Sequence, residues 1–383
     1  MALMTPTSPP ADLRALTSLR FLAAAWVVMY TFWPDLNFGL VPVAVTKGYL
    51  GVETFFILSG FILSHVYLQA AGEKQFRYGG FLWARVARVY PLHLLTLAGV
   101  MVLGLAAVAA GMTIHGDVLS WASLPAQLTM THAWGLAPAA GFNHPSWSIS
   151  AEWFAYLAFP AFAFVAWRLR SRPWLAVAGA ALFLVGLYLA FEAMAGFSLT
   201  EATFRWGALR IVPCFALGCA LYLVYRRAPL KRAGLWVAGF AGAMAVSASL
   251  GAWDGITVLL AGGLILGLAS MTNAGAGWLA SKPAVYLGEI SYSIYMVCVP
   301  WQILAVNIAA RLTGAEDKRL SVGVWLVVVA LLPIVAAASY HLVERPARTA
   351  LRGMANRRRA AQTDTADRVN SPERVLQPSE TIV

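Results

Sequence analysis

The sequence predicts an all-α, polytopic membrane protein with about ten transmembrane helices. Composition, the length of the apolar runs and the charge of the loops between them carry that prediction. Hydrophobic residues make up 60% of the 383, charged residues only 12%, and the mean hydropathy is +0.68. A soluble domain carries roughly 25% charged residues. A helix needs about 20 apolar residues to cross a bilayer. Ten stretches meet that length or come near it: 14–34, 48–70, 80–110, 148–168, 174–195, 206–226, 233–250, 255–271, 284–311 and 320–347. Fifteen Trp and thirteen Tyr suit belts at the two interfaces.

Between the third and fourth runs, 111–147 is longer and more polar and holds Pro125, Pro138 and Pro145. A half-helix near 118–134 that dips into the membrane is expected there. The chain divides into an N-terminal tail (1–13), a transmembrane domain (14–350) and a tail (351–383). That last tail carries Arg357, Arg358 and Arg359, is poor in apolar residues and is expected to be disordered. The start, MALMTPTSPPADLRAL, lacks a basic n-region and an Ala-x-Ala site, so no cleaved signal is expected.

Loop charge sets the orientation. Alternate loops carry Arg14, then Lys74 to Arg88, then Arg168, Arg170 and Arg172, then Arg226 to Arg232, then Lys282 and the basic tail. The opposite loops hold Lys47, Arg205, Arg311, Lys318 and Arg319. The positive-inside rule therefore places both termini in the cytoplasm, and for a bacterial chain the plasma (inner) membrane as the location. The net charge of +11 sits in these short clusters, so anionic lipid is the expected partner and nucleic acid is not. Cys214, Cys219 and Cys298 lie inside apolar runs with no disulfide or metal-ligand spacing, and no metal is expected.

Ionisable residues inside apolar spans are costly and are functional candidates by default. Arg20 and Thr31 are eleven residues apart on one face of the first span, about 16 Å along the axis. Arg20 also reads as a snorkelling anchor. Arg85 and Arg88, at i,i+3, share a face at the start of the third span, where two guanidinium forks suit a phosphate or pyrophosphate. Ordinary positive-inside charge is the competing explanation. Pro91 should kink that span. Glu152 opens the fourth span at its outer end, either as a carboxylate favoured by a helix N-terminus or as an acid–base group. Glu53 also lies toward the outside. Arg210 is buried and needs a partner, Ser59-Gly60 permits close helix packing, and Glu344 should pair with a neighbouring Arg. Depth thus separates an inner cationic group (Arg20, Arg85, Arg88) from an outer one (Thr31, Glu53, His144, Glu152), an arrangement suited to two substrates arriving from opposite faces.

These motifs together resemble the acyltransferase-3 family of integral membrane acyltransferases. The family pattern starts with Arg, ten residues, then His, matched by Arg20 with Thr31 in the His position. Gly51-Val52-Glu53-Thr54-Phe55-Phe56 with Ser59-Gly60 matches a second motif, and Arg85, Arg88, Tyr90 and Pro91 a third. Trp147 to Glu152 match Trp-Ser-x-Ser-x-Glu, Gly288 with Ser291 to Tyr295 match a fifth motif, and Glu344 with Pro346 a sixth. The resemblance covers about 14–350 in order. It implies transfer of an acyl group, usually acetyl, from cytoplasmic acyl-CoA as co-substrate to a hydroxyl of a carbohydrate or glycolipid such as an exopolysaccharide or lipopolysaccharide. It further implies CoA phosphate binding by Arg85 and Arg88, donor orientation by Arg20, and support of the base by Glu152. Glu53, His144, Trp147, Ser148, Arg210 and Tyr292 are expected around the substrate. The family base is the His at position 31, and the family often has a second His where this chain has Cys298. A threonine hydroxyl has no useful basicity at neutral pH, so chemistry centred on residue 31 is expected to be impaired. An inactive relative serving glycan assembly, and less favourably a transporter, stand as alternatives.

Overall fold

A computed structural model describes residues 12–112, 117–315 and 317–354. Most of the 1–13 tail and of the 351–383 tail lies outside the described residues, whereas 351–354 simply continue the last helix. Among the described residues the chain is helical, with no β-strand and a single backbone bridge, Asn37 N to Leu320 O at 2.9 Å and Leu320 N to Asp35 O at 2.7 Å.

The main helices are α1 (Arg14–Phe32), α2 (Gly51–Gly72), α3 (Tyr78–Ala109), α4 (Trp147–Leu157), α5 (Phe159–Leu169), α6 (Pro173–Ala195) and α7 (Gly207–Arg227). They continue as α8 (Ala233–Ser249), α9 (Asp254–Ser270), α10 (Lys282–Glu289), α11 (Ser291–Thr313) and α12 (Val322–Ser339), the last running on to Met354. Seven of these are long and apolar enough to cross a membrane, while α8 and α9 are shorter apolar helices that fill two further expected positions.

Two expected spans are broken. The 148–168 run is two helices, α4 and α5, bent by 58° at Ala158. Pro160, in the first turn of α5, explains the break: it has no N–H to donate back to Tyr156, so the ladder of α4 cannot continue through it. The 284–311 run divides at Ile290 into α10 and α11. By contrast, α3 runs through Pro91 as one helix.

The expected half-helix at 118–134 is replaced by short turns, including Leu124–Leu128. A buried polar network organises these turns. His93 Nε2 donates to the Gln127 carbonyl at 2.8 Å, and His132 stacks on His93 with ring centroids 5.8 Å apart. Ser146 Oγ lies 3.0 Å from His132 Nε2. Such a segment satisfies its polar groups internally rather than through helix bonds.

The centre of the bundle is the crossing of α2 and α7. A Cβ on Gly60 would lie 2.1 Å from the Phe215 carbonyl oxygen, and one on Gly218 2.0 Å from that of Ile57. The two backbones touch there, which only hydrogen side chains allow. Beside the crossing, buried Arg210 of α7 grips Glu53 of α2 with two parallel bonds, Nε to Oε1 at 2.5 Å and Nη2 to Oε2 at 2.9 Å. The partner that Arg210 required is thus the carboxylate at residue 53.

Candidate active site

A cavity of about 140 Å³ lies beside this crossing and opens to one side. Its polar wall is built by five helices: Arg20 from α1, Ser59 from α2, Arg85 and Arg88 from α3, Ser148, Glu152 and Tyr156 from α4, and Tyr292 and Tyr295 from α11. The i,i+3 spacing of Arg85 and Arg88 brings both into one cavity, as their shared face predicts. Glu152 and Tyr156 are one turn apart on α4. The Glu152 carboxylate accepts from Ser59 Oγ at 2.8 Å, and Tyr156 lines the cavity beside it.

Charge in the cavity is unbalanced. Arg20, Arg85 and Arg88 make no ion pair among the described residues. Arg85 Nε is buried without a hydrogen-bond partner. Its guanidinium carbon lies 5.9, 5.8 and 5.8 Å from the ring centroids of Tyr67, Phe81 and Tyr156, a cation–π cage that holds the group without neutralising it. Three half-buried cations around one hydrogen-bonded carboxylate form a receptor for an anion.

Arg20 and Arg88 also line a second, outer space of about 1180 Å³, walled by Arg14, Lys282, Tyr286, Glu289 and Arg348. Arg14 is paired with Asp12 at 2.8 Å, and Arg348 with Glu344 at 3.6 Å, leaving Arg20 and Arg88 unpaired where the two spaces meet. The vestibule is therefore at the end of the bundle that carries the basic loops. Glu344 pairs with an arginine as expected and also accepts from Ser293 Oγ at 2.8 Å.

The structure groups the sequence candidates differently from the depth argument. Glu152, expected on the outer side apart from the arginines, faces the same cavity as all three of them. Ser148 Oγ donates to the Tyr295 hydroxyl at 2.8 Å, which donates on to the Pro145 carbonyl at 3.0 Å. The Tyr292 hydroxyl donates to the Val89 carbonyl at 2.7 Å. Thr31 is not on the cavity wall: its hydroxyl returns to the Val27 carbonyl at 2.9 Å, beside Cys298. Glu53 and Arg210 are occupied with each other beneath the cavity. Trp147 packs between the Arg210 guanidinium, 4.6 Å from its ring, and Phe56 at 6.1 Å. His144 is exposed and lines none of these spaces.

Sequence reasoning did not single out Ser59, Tyr156 and Tyr295 as site residues. Neutral hydroxyls carry no burial cost large enough to mark them. The i,i+4 spacing of Glu152 and Tyr156 was the one available signal.

The fold and the site define a multi-pass membrane protein whose helices enclose an arginine-lined cavity. The profile of an acyltransferase domain matches residues 13–344, and the chain belongs to the acyltransferase-3 family. It is 30% identical to Acyltransferase MdmB of Streptomyces mycarofaciens over 375 residues, 88% of this chain and 92% of that protein. It is 27% identical to the exopolysaccharide production protein ExoZ of Rhizobium meliloti (strain 1021), over 79% of this chain and 90% of that one. No solved structure matches the chain.

Proposed function

We propose that this acyltransferase moves an acyl group, most simply acetyl, from acyl-CoA in the cytoplasm to a carbohydrate hydroxyl on the opposite side of the plasma membrane, with both termini in the cytoplasm. The observation that carries the reading is the set of three unpaired arginines around Glu152 in a cavity continuous with a basic vestibule. The phosphates of CoA suit Arg85 and Arg88, and the vestibule offers them a route from the cytoplasmic end. Arg20 faces the space where the thioester carbonyl gains negative charge. Glu152, the only carboxylate lining the cavity among the described residues, accepts the proton from the sugar hydroxyl as its oxygen bonds to the acyl carbon. The carbon–sulfur bond then breaks and CoA leaves as thiolate. A carbohydrate acceptor is supported by the similarity to ExoZ, an exopolysaccharide production protein.

Thr31 favours a second reading, an inactive relative that binds acyl-CoA and assists glycan assembly. The two readings separate in proteoliposomes supplied with labelled acetyl-CoA on one face and membranes bearing the native glycan on the other. Label in the glycan, lost in Glu152→Gln, supports transfer. Acetyl-CoA binding without transfer to any glycan supports the second reading and defeats the first.

A further inference from the structure

At the end of the bundle away from the vestibule lies a groove of about 1080 Å³ lined by Trp134, Gly135, Pro138, Arg205 and Trp206. Arg205 and Trp206 are exposed, and Arg205 makes no ion pair among the described residues. Gly135 turns the chain here with φ +79°, a left-handed conformation that keeps the groove floor open. Two indoles and one free cation suit a sugar face stacked on an aromatic ring beside an anionic group.

The groove does not stop at the headgroup level. The wall formed by Ala208 and Leu209 continues down α7 through Val212, Ala216, Ala220 and Leu223, at helical spacings of three and four. Those lower residues floor a second space of about 1130 Å³, closed on its other sides by α5 and α6 and lined by apolar side chains throughout. The 58° bend at Ala158 swings α5 away and makes the room. Exposed Val165, Gly179 and Phe183 leave the trough open sideways. Its upper end meets the groove where Phe154 of the trough packs on Trp134 of the groove, with centroids 5.5 Å apart. From Leu209 to Leu223 the stripe is about 21 Å long at ~1.5 Å per residue, most of a hydrocarbon core of about 30 Å. That shape takes a chain, not a ring.

The groove is also attached to the catalytic helix. Ala133 N and Trp134 Nε1 donate to Ser150 of α4, each at 2.9 Å. Trp147 stands between groove and cavity: a Cβ on Gly207 would lie 3.1 Å from its ring, while its other side packs on cavity-lining Phe56.

We propose that the acceptor is a lipid-linked saccharide, with its hydrocarbon tail in the trough along α7, its anionic linker at Arg205 and its sugar between Trp134 and Trp206. This rests on the acyltransferase reading for the chemistry, and on the groove and trough alone for the binding. A free polysaccharide would leave the trough without an occupant of its own, and an ordinary bilayer lipid has no use for the paired indoles beside Trp147.

The test is photolabelling of the reconstituted full-length chain with a polyprenyl-phosphate-linked monosaccharide carrying a diazirine on its tail, compared with phosphatidylglycerol carrying the same group. The glycolipid should label the α7 stripe preferentially. Arg205→Ala and Ala216→Phe should each lower that labelling at least about tenfold. Arg205 is exposed, so its variant stays informative if Ala216→Phe fails to insert. Equal labelling by phosphatidylglycerol, or labelling elsewhere, overturns the proposal. Labelling needs no turnover: a chain that labels but never transfers defeats the acyltransferase reading alone, and one that transfers to a short soluble glycoside without labelling defeats the lipid-linked acceptor alone.

Discussion

Thr31 of α1 and Cys298 of α11, 267 positions apart in sequence, lie side by side where the two helices pack. They are also the two positions at which the acyltransferase-3 pattern places histidines. The two departures from that pattern are therefore adjacent in space, away from the wall of the arginine-lined cavity. Gln302 Nε2 fixes the same spot, donating to the Thr31 carbonyl at 2.9 Å and to Asp35 at 2.6 Å.

From this follows the first prediction. With Glu152 as the proton acceptor, Glu152→Gln lowers acyl transfer by about 10²–10⁴-fold, the usual worth of a general base. Thr31→His changes it by less than about 5-fold, well below that range. Both are read as label transferred from acetyl-CoA by protein of matched expression. A gain of 100-fold or more in Thr31→His would return the chemistry to residue 31.

The second concerns the donor. Charge-assisted hydrogen bonds contribute about 1.5–3 kcal/mol each. Arg85→Ala combined with Arg88→Ala should weaken acetyl-CoA binding by two or more orders of magnitude, on the order of 3–6 kcal/mol in total. Isothermal titration of the purified protein checks it. Unchanged affinity in a well-inserted double variant would leave both arginines as topology signals.

A third prediction separates the buried pair from the chemistry. Arg210→Met leaves Glu53 buried and uncompensated, and should destabilise the bundle by about 3–5 kcal/mol. Adding Glu53→Leu should restore most of that loss, because an apolar replacement of both partners is often neutral. Thermal unfolding in detergent measures the cycle. If the double variant is no more stable than the single one, the pair is not mainly electrostatic compensation.

Acid sensitivity gives a fourth. His132 lies outside the spans, and burial, reinforced by neighbouring His93, pushes it down from 6.5 to about 3. Its folded pKa is depressed, so it is neutral in the fold; its stabilisation is complete above pH 6.5 and is lost as pH falls through the interval down to about 3. Between pH 6.5 and 5 the loss is roughly 2 kcal/mol for this group. Melting temperature should fall over that range, and fall less in His132→Asn. An identical drop in both proteins would assign the acid sensitivity elsewhere.

Topology supplies the last. Reporter fusions near 75, 170, 229 and 360 should report cytoplasm, and those near 120 and 315 the opposite face. Finding 120 and 170 on one side would break the alternation on which the two-sided reaction depends.

How far the sequence reached depends on the kind of signal each residue leaves. Buried charges announce themselves, so Arg20, Arg85, Arg88, Glu152, Arg210 and Glu53 all stood out before any geometry was known. Their partnerships did not, because pairing Glu53 with Arg210 requires knowing that α2 and α7 cross at Gly60 and Gly218. Glu152 was expected apart from the arginines by counting depth along a straight fourth span, whereas the structure brings all four to one cavity wall. The 58° break shows that span is not straight, although Phe159-Pro160 marked where it would give way. Ser59, which donates to the Glu152 carboxylate, and Tyr156 beside it are common neutral residues, marked at most by the i,i+4 spacing of Glu152 and Tyr156.

The unpaired arginines have a consequence for how long the protein survives. Arg20 and Arg88 share a half-buried space and repel one another, and an anionic ligand between them relieves that repulsion. Any ligand that binds only the folded state adds stability as its concentration rises, about 2.7 kcal/mol at a hundred times its dissociation constant. A cell rich in acyl-CoA would then hold more intact copies of this protein than a starved one at equal synthesis. Donor supply would set the amount of enzyme as well as its speed.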